Sequence, residues 1–588
     1  MASASAAPYT RRPARWIRSA PDPAIVLALE REIGIGRLAA RVLAHRGFTS
    51  SDRASGFLNP SLSSLHDPLL MRGMAVAVER LRQAIERQEP ILLYGDYDVD
   101  GTTSIVILKK ALDLLNARAE FHVPHRLRDG YGMRAEVIEA AAAKGVKLIV
   151  SVDTGIRATE VVRQANELGI DVIVTDHHLP EAELPPALAV LNPNRLDCDY
   201  PEKNLCGAGV TFKLIQAVLA ASDLPPDRQA RLLDSFLKMV AIATIADIVP
   251  LTGENRVIVR RGLNGLREVK NPGLRALIGV SGLIDGVPPS THQVGFRIAP
   301  RINAAGRMDS AMDVIDLFLT EDAERARQLA SQLDTLNRER QNAEAEIVQS
   351  IVDRCQESPF DEDCAALVFA EPGWHLGVVG IVASRLVERF CRPVFVLSDA
   401  VEDGLLSGSG RSIPGFHLLE ALETMPHLFR KFGGHRQAAG LTIARESVDE
   451  FRRRLDAHAR TCLAADDMRP QYVVDADAAF PDLTERAIDE IFSLAPFGFG
   501  NSMPLFYSEN VEVAAPPKAL GSGKHLNVPL RQQGRLLFFK AWNFGDRIDL
   551  FQPGRRLDVL FTLEDDPGAK SRGYAGWSVS LRDARLAG

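Results

Sequence analysis

Three aspartates at alternate positions, Asp96, Asp98 and Asp100, punctuate the run Leu92–Leu93–Tyr94–Gly95–Asp96–Tyr97–Asp98–Val99–Asp100–Gly101. If the backbone stays extended there, alternate side chains share one face. Three carboxylates so close repel one another unless cations compensate, and hard divalent cations are the natural compensation. A calcium loop of EF-hand type begins with the same D-x-D-x-D-G spacing, but its twelfth position must be Glu and here it is Ile107. Two more acidic clusters follow apolar runs: Leu148–Val152 leads into Asp153–Thr154–Gly155, and Val172–Thr175 leads into Asp176–His177–His178. One strand-end aspartate is more often a helix cap than a ligand. Three strand ends in one parallel sheet converge on one crevice. A fourth acidic site, Asp247, follows the apolar helical run ending Ala243–Thr244–Ile245–Ala246 and wants a partner. Carboxylates plus imidazole suit Mn²⁺ or Mg²⁺. Two such ions about 3.5–4 Å apart activate water and neutralise a phosphoryl transition state. Phosphate-ester hydrolysis is therefore the chemistry these residue types point to.

The elements that must position them alternate. Strand candidates Ile91–Tyr94, Glu120–Val123, Leu148–Val152, Val172–Thr175 and Ala189–Leu191 are separated by helix candidates Ser104–Leu115, Ala135–Lys144 and Ala158–Leu168. That pattern predicts an α/β fold with a doubly wound parallel sheet. From Glu321 to about Asp353 the chain is polar, rich in Ala, Glu, Gln and Arg and free of Gly and Pro, which predicts a long bridging helix. A second α/β region is expected from Asp361 to Cys462. After Tyr472, short alternating segments such as Leu536–Trp542 and Trp577–Leu581 fit a small β-barrel.

At 588 residues the chain needs two to four domains. Six scattered cysteines without a CxxC pair suit a reducing cytoplasm and argue against a zinc cluster or a disulfide framework. The net charge of −7 does not advertise a polyanionic ligand, although a local basic groove or bound metal outweighs a sum. No apolar run reaches membrane-spanning length. The arginine-rich first twenty residues mimic an organelle transit peptide, but a frayed terminus accounts for them more simply.

Asp176–His177–His178 resembles the triplet that names the DHH phosphoesterase superfamily. Within it the chain is similar to the RecJ exonucleases over nearly its whole length. The resemblance rests on Pro300–Arg301–Ile302–Asn303–Ala304–Ala305–Gly306–Arg307, on Trp374–His375–Leu376–Gly377–Val378–Val379–Gly380 through Leu386, and on Pro124–His125–Arg126 leading to Gly130–Tyr131–Gly132. Gly433–Gly434–His435, followed by Ala438–Ala439–Gly440, resembles the DHHA1 substrate domain of several DHH families. DHH inorganic pyrophosphatases carry His where this chain has Tyr94, which disfavours that activity.

The resemblance implies a 5′→3′ exonuclease specific for single-stranded DNA, acting in recombination and repair in the cytoplasm as a monomer. A single-strand-binding protein and a helicase are its implied partners. It also implies that Asp98 and Asp153 hold one metal while Asp100, Asp153, His177 and Asp247 hold the other. Asp96 and Asp176 would be auxiliary or orienting groups, and His178 would contact the scissile phosphate. Arg301 and Arg307, flanking what reads as a Gly/Ala/Asn turn that includes Asn303, would clamp backbone phosphates. Arg126 with Arg411 and Ser412 would receive a 5′ phosphate, His435 would meet phosphate, and Tyr131, Trp374 and His375 are candidate stacking surfaces. The implied division is an N-terminal extension (1–70), a DHH catalytic domain (71–320), a bridging helix (321–357), a DHHA1 domain (358–465) and an OB-type barrel (466–588). Two rival readings fit less well. A DHH phosphodiesterase for oligoribonucleotides or cyclic dinucleotides shares the catalytic set and the Gly-Gly-His domain but lacks the Arg301–Arg307 segment and the barrel. A RecJ-derived replication scaffold tends to lose metal ligands that are all present here.

Overall fold

The structure, a computed structural model, describes residues 12–126, 128–130, 132–361, 363–400, 404–566 and 575–588. The start of the arginine-rich stretch, residues 1–11, and Tyr131 lie outside the described residues. Two compact units are present: one joins Arg18–Asp334 with Val474–Gly588, the other joins the chain up to Ile17 with Thr335–Val473. The boundary falls inside one continuous helix, Ala323–Glu357, in the stretch whose composition predicts a helix.

The first unit is built on a five-stranded sheet in the spatial order Ala119–His122, Ile91–Gly95, Leu148–Val152, Asp171–Thr175, Ala189–Leu191, every pair parallel. Ile91–Gly95 and Leu148–Val152 are buried at every position. Helices cover both faces of such sheets, which is why these strands read as unbroken apolar runs. The helix after the first of them starts earlier than its apolar pattern: it spans Val99–Leu114 because the Asp98 side chain caps it, accepting from Asp100 N at 2.9 Å and Gly101 N at 3.0 Å. The extended face expected for the three aspartates therefore ends at Asp98, and Asp100 lies in the first helical turn.

The same unit contains a barrel. Phe506–Val513 pairs with both Arg556–Asp565 and His525–Gln532, closing a five-stranded ring completed by Trp577–Leu586 and Arg535–Ala541. Its apolar interior is continuous with the helices Pro23–Ile33, Arg37–His45 and Ser51–Leu58, so the N-terminal segment shares a core with the barrel. Arg46 pairs with Asp475 at 2.8 Å, and the buried Arg256 guanidinium donates to the carbonyls of Phe57 and Ala495.

The stretch Pro300–Arg307 is not a turn. It lies in the helix Ala299–Met308, entered through a single π-helical turn at Val294–Ile298. Its small residues permit close packing: a Cβ on Gly306 would stand 2.5 Å from the carbonyl oxygen of Tyr97. Composition suggested a turn because tertiary contact, not propensity, decides this helix.

The second unit carries a mixed sheet in the order Phe429–Gly434, Ala438–Ala444, Leu405–Arg411, Val394–Asp399, Leu367–Ala370, in which only the last pair is parallel. Among the described residues no helix is long and apolar enough to cross a membrane.

Candidate metal centre

Strand register brings the acidic residues together. Gly95, Val152 and Thr175 are cross-strand partners in consecutive pairs, so Asp96, Asp153 and Asp176 each sit one residue beyond the same sheet edge. The register holds past that edge, since Asp153 N donates to Thr175 O at 2.9 Å and Asp176 N to Leu191 O at 3.0 Å. Asp153 has φ +59°, a left-handed conformation uncommon for a residue with a side chain. Such strain persists only where the surroundings impose it, and it clusters at functional sites.

His177 is the hub. Its Nε2 lies 3.2 Å from Asp153 Oδ1, 3.7 Å from Asp100 Oδ2 and 3.7 Å from Asp247 Oδ2. Those four residues come from two strand ends, the first turn of Val99–Leu114 and the C-terminal end of Pro226–Ala246. Three overlapping sets have ligand atoms within 4.8 Å of one another: Asp100–His177–Asp247, Asp96–Asp98–Asp153 and Asp153–His177–His178. Asp153 belongs to two of the three. Asp100 is further fixed by Gly207 N at 2.6 Å and Ala208 N at 2.8 Å, the first amides of the helix Gly207–Ala220, whose dipole favours a carboxylate there.

The electrostatics call for cations. Burial, and then repulsion from Asp100, Asp98, Asp96 and Asp247, holds Asp153 well above the usual carboxylate range. Burial and the Asp98 charge do the same to Asp96; burial with Asp100 and Asp98 does it to Asp247. Asp96 Oδ1 and Asp153 Oδ1 are buried without a hydrogen-bond partner among the described residues; the 3.2 Å approach of His177 to the latter lacks hydrogen-bond geometry. Native proteins rarely leave such oxygens orphaned. An oxygen-rich set with orphaned, mutually repelling carboxylates and a neutral imidazole fits a pair of hard divalent ions.

The remaining members of the triplet orient the hub. Asp176 Oδ1 accepts from the backbone amides of His177 and His178 and pairs with His178 Nδ1 at 2.7 Å, while Oδ2 accepts from Ile156 N at 3.0 Å. Burial would raise Asp176, but the His178 bond and charge outweigh it and hold it low. For His178 burial works downward and the Asp176 partner prevails, leaving it raised; His177 is lowered by burial and stays neutral.

The other residues singled out by sequence are spread more widely. Arg126 lies over the Tyr97 ring at 5.0 Å, beside the acidic loop. Asn303 Oδ1 accepts from Val99 N at 3.2 Å, tying the Ala299–Met308 helix to the Asp98 cap. Arg301 is engaged with Asp334 through Nε at 2.9 Å and Nη2 at 2.8 Å. Arg307 lies on the same helix, half-buried. Trp374, His375, Arg411, Ser412 and His435 belong to the second unit. There Trp374 is half-buried, His375 Nδ1 accepts from Gly377 N, Arg411 donates to Gly410 O, Ser412 donates to Phe416 O, and His435 is exposed.

Sequence reasoning missed the residues that hold the hub from outside. Asn192 donates to His178 O at 2.8 Å and Asn194 to His177 O at 2.6 Å. Gly207 allows a helix start so close to Asp153 that a Cβ would stand 2.6 Å from its side chain. Asn192 was findable, because it follows Ala189–Leu191 as Asp176 follows its own strand. Gly207 was not, since nothing local in Cys206–Gly207–Ala208 marks its neighbour.

A profile of the DHH family, N-terminal domain, matches residues 90–244; profiles of the DHHA1 domain and the RecJ OB domain match 362–461 and 474–567. The single-stranded-DNA-specific exonuclease RecJ of Bacillus subtilis is 39% identical over 93% of this chain and 68% of its own length. The protein of the same name from Dickeya dadantii is 41% identical over 80% of this chain and 83% of its own. Among solved structures, RecJ from Thermus thermophilus in complex with Mn²⁺ superposes with a TM-score of 0.82 at 31% identity, covering 98% of this chain and 80% of that one. The Mg²⁺ complex of the same protein superposes with a TM-score of 0.77 at 30% identity, covering 98% and 79%.

Proposed function

The chain belongs to the RecJ family, and we propose that it removes 5′-mononucleotides from single-stranded DNA by metal-dependent phosphodiester hydrolysis. The observation that carries this reading is the convergence of Asp100, Asp153 and Asp247 within 3.7 Å of one imidazole nitrogen. Asp98 and Asp153 would hold one divalent ion, and Asp100, Asp153, His177 and Asp247 the other, with Asp153 shared. Bound there, two Mn²⁺ or Mg²⁺ ions supply an activated water and charge neutralisation at the scissile phosphate.

The protein's own groups then have separable tasks. His177, neutral because it is buried, presents a lone pair instead of a proton. Asp176 orients both histidines and favours the protonated form of His178, whose Nε2 would then donate to a phosphate oxygen and offset its growing charge. Asp96 balances the cation charge from its orphaned oxygen. Arg126, Arg301, Asn303 and Arg307 in one unit, and Arg411, Ser412 and His435 in the other, are proposed phosphate contacts, with Tyr131, Trp374 and His375 as base-stacking surfaces. We assign catalysis to residues 71–320, substrate handling to 358–465 and strand binding to the barrel of 466–588. A cytoplasmic repair setting, with a single-strand-binding protein and a helicase exposing the strand, completes the proposal.

Digestion of 5′-labelled and 3′-labelled single strands with Mn²⁺, against duplex, dinucleotide and cyclic-dinucleotide controls, tests it. Label release as mononucleotide from the 5′ end alone, lost in Asp153→Ala with strand binding retained, is the expected result. Preference for dinucleotides, or turnover by a clean preparation of that variant, would overturn it.

A further inference from the structure

A cavity of about 370 Å³ lies in the first unit, away from the acidic centre. Its walls come from the middles of two helices whose ends deliver candidate ligands. Val106, Ile107 and Lys110 project from Val99–Leu114, and Phe236 and Met239 from Pro226–Ala246, with Phe318 beside them. Lys110 is ten residues beyond Asp100, so about 15 Å of helix separates the cavity from the hydrolytic groups. The volume is that of a small-molecule site, and the lining sets apolar side chains such as Val106, Phe236 and Phe318 among charged and polar ones.

The polar groups are unbalanced. Lys110, Lys238 and Lys270 all border the cavity, against one acid, Glu321. Lys238 is committed to the carbonyl of Glu268 at 2.8 Å. The neighbouring Asp113 is taken by Lys109 at 2.6 Å. Among the described residues the Lys110 ammonium makes no hydrogen bond and no ion pair, and Lys270 is exposed without one. Burial lowers the Lys110 ammonium below the usual lysine range, with Glu321 and Asp113 only partly offsetting it. A half-buried ammonium without a partner is costly, and an anion brought to it recovers that cost.

We propose that this cavity binds a small organic carboxylate with an aromatic or aliphatic body, its head group at Lys110 and Lys270 and its body against Phe236, Met239 and Phe318. Such a ligand satisfies the cations and fills the apolar volume together. Neither an inorganic anion nor a neutral hydrocarbon does both.

Calorimetric titration of the full chain with 1-naphthoate in Mg²⁺ buffer is the test, with 1-naphthalenemethanol as the uncharged control. Saturable one-to-one binding of naphthoate, at least about tenfold tighter than the alcohol, is expected. Lys110→Met should weaken naphthoate by about tenfold or more while exonuclease activity stays unchanged, because no hydrolytic group is touched. Lys270→Glu, at an exposed position that folding tolerates, should weaken it in the same direction. Absence of naphthoate binding to the wild-type chain, equal binding of the alcohol, or naphthoate binding indifferent to both substitutions would each overturn the proposal.

Discussion

Gly207 and Asp153 approach so closely that a Cβ on the glycine would stand 2.6 Å from the aspartate side chain. The Gly207 amide meanwhile donates to Asp100 Oδ2 at 2.6 Å, so one backbone position determines where two carboxylates stand. Gly207→Ala should therefore displace Asp153 while leaving the sheet beneath it intact. We expect kcat to fall by about 100-fold or more with a wild-type-like circular dichroism spectrum, because misplacement near 1 Å costs that much at a reacting centre. Unchanged kcat would show that Asp153 has slack the packing does not reveal.

Removing one charge from the cluster should help the protein when metal is absent. Asp153→Asn keeps the shape, and asparagine tolerates the left-handed φ of +59°. It also removes the buried carboxylate on which the charges of Asp100, Asp98, Asp96 and Asp247 all press. Differential scanning calorimetry in chelator should give a Tm raised by ~1 °C, equivalent to about 1 kcal/mol for a unit of this size. With Mn²⁺ added, the wild-type protein should gain Tm and the variant should gain little.

Metal affinity should weaken as pH falls, with an onset above the ordinary carboxylate range. Raised carboxylates bind protons at higher pH than free aspartate, and each such proton must leave before a cation enters. His177 has the opposite shift, lowered by burial, so it stays neutral and does not compete until the solution is more acidic. Titration of Mn²⁺ binding from about pH 8 down to about pH 5, above the ordinary aspartate range and across that of histidine, should thus show carboxylate protons released on binding. Affinity independent of pH across that interval would refute the argument.

Asn303 acts on the acidic loop through Val99. Asn303→Ala leaves the Val99 amide without its acceptor and frees the Asp98 cap to shift. A loss of about 10- to 100-fold in kcat is expected, on top of any rise in KM from the phosphate contact proposed for the same side chain. An unchanged kcat would mean that Asn303 does not position Asp98.

Arg301→Ala should cost stability as well as binding. Its guanidinium holds the buried Asp334, which loses that partner in the variant, at a cost of about 1–3 kcal/mol. Urea denaturation reads that loss; a wild-type midpoint would leave phosphate contact as the residue's sole role.

The chemistry was legible in the sequence because strand ends announce themselves. Asp96, Asp153 and Asp176 each directly follow a largely apolar strand, and a parallel sheet sends such positions to one edge. The bridging helix was legible from a composition free of Gly and Pro, whereas the barrel, built of short alternating segments, was legible mainly through the family resemblance. What sequence could not fix is whatever depends on partners distant along the chain. The Pro300–Arg307 stretch reads as a turn yet is helical, since Gly306 must pass the Tyr97 carbonyl and Asn303 must reach Val99. Asp100 leaves the shared face of its neighbours because the amides of Gly207 and Ala208 receive it. Residue types and spacing determined that carboxylates and imidazoles would meet. Register, helix packing and the absence of one Cβ at Gly207 decided how close, because those distances are set by contacts between segments far apart along the chain.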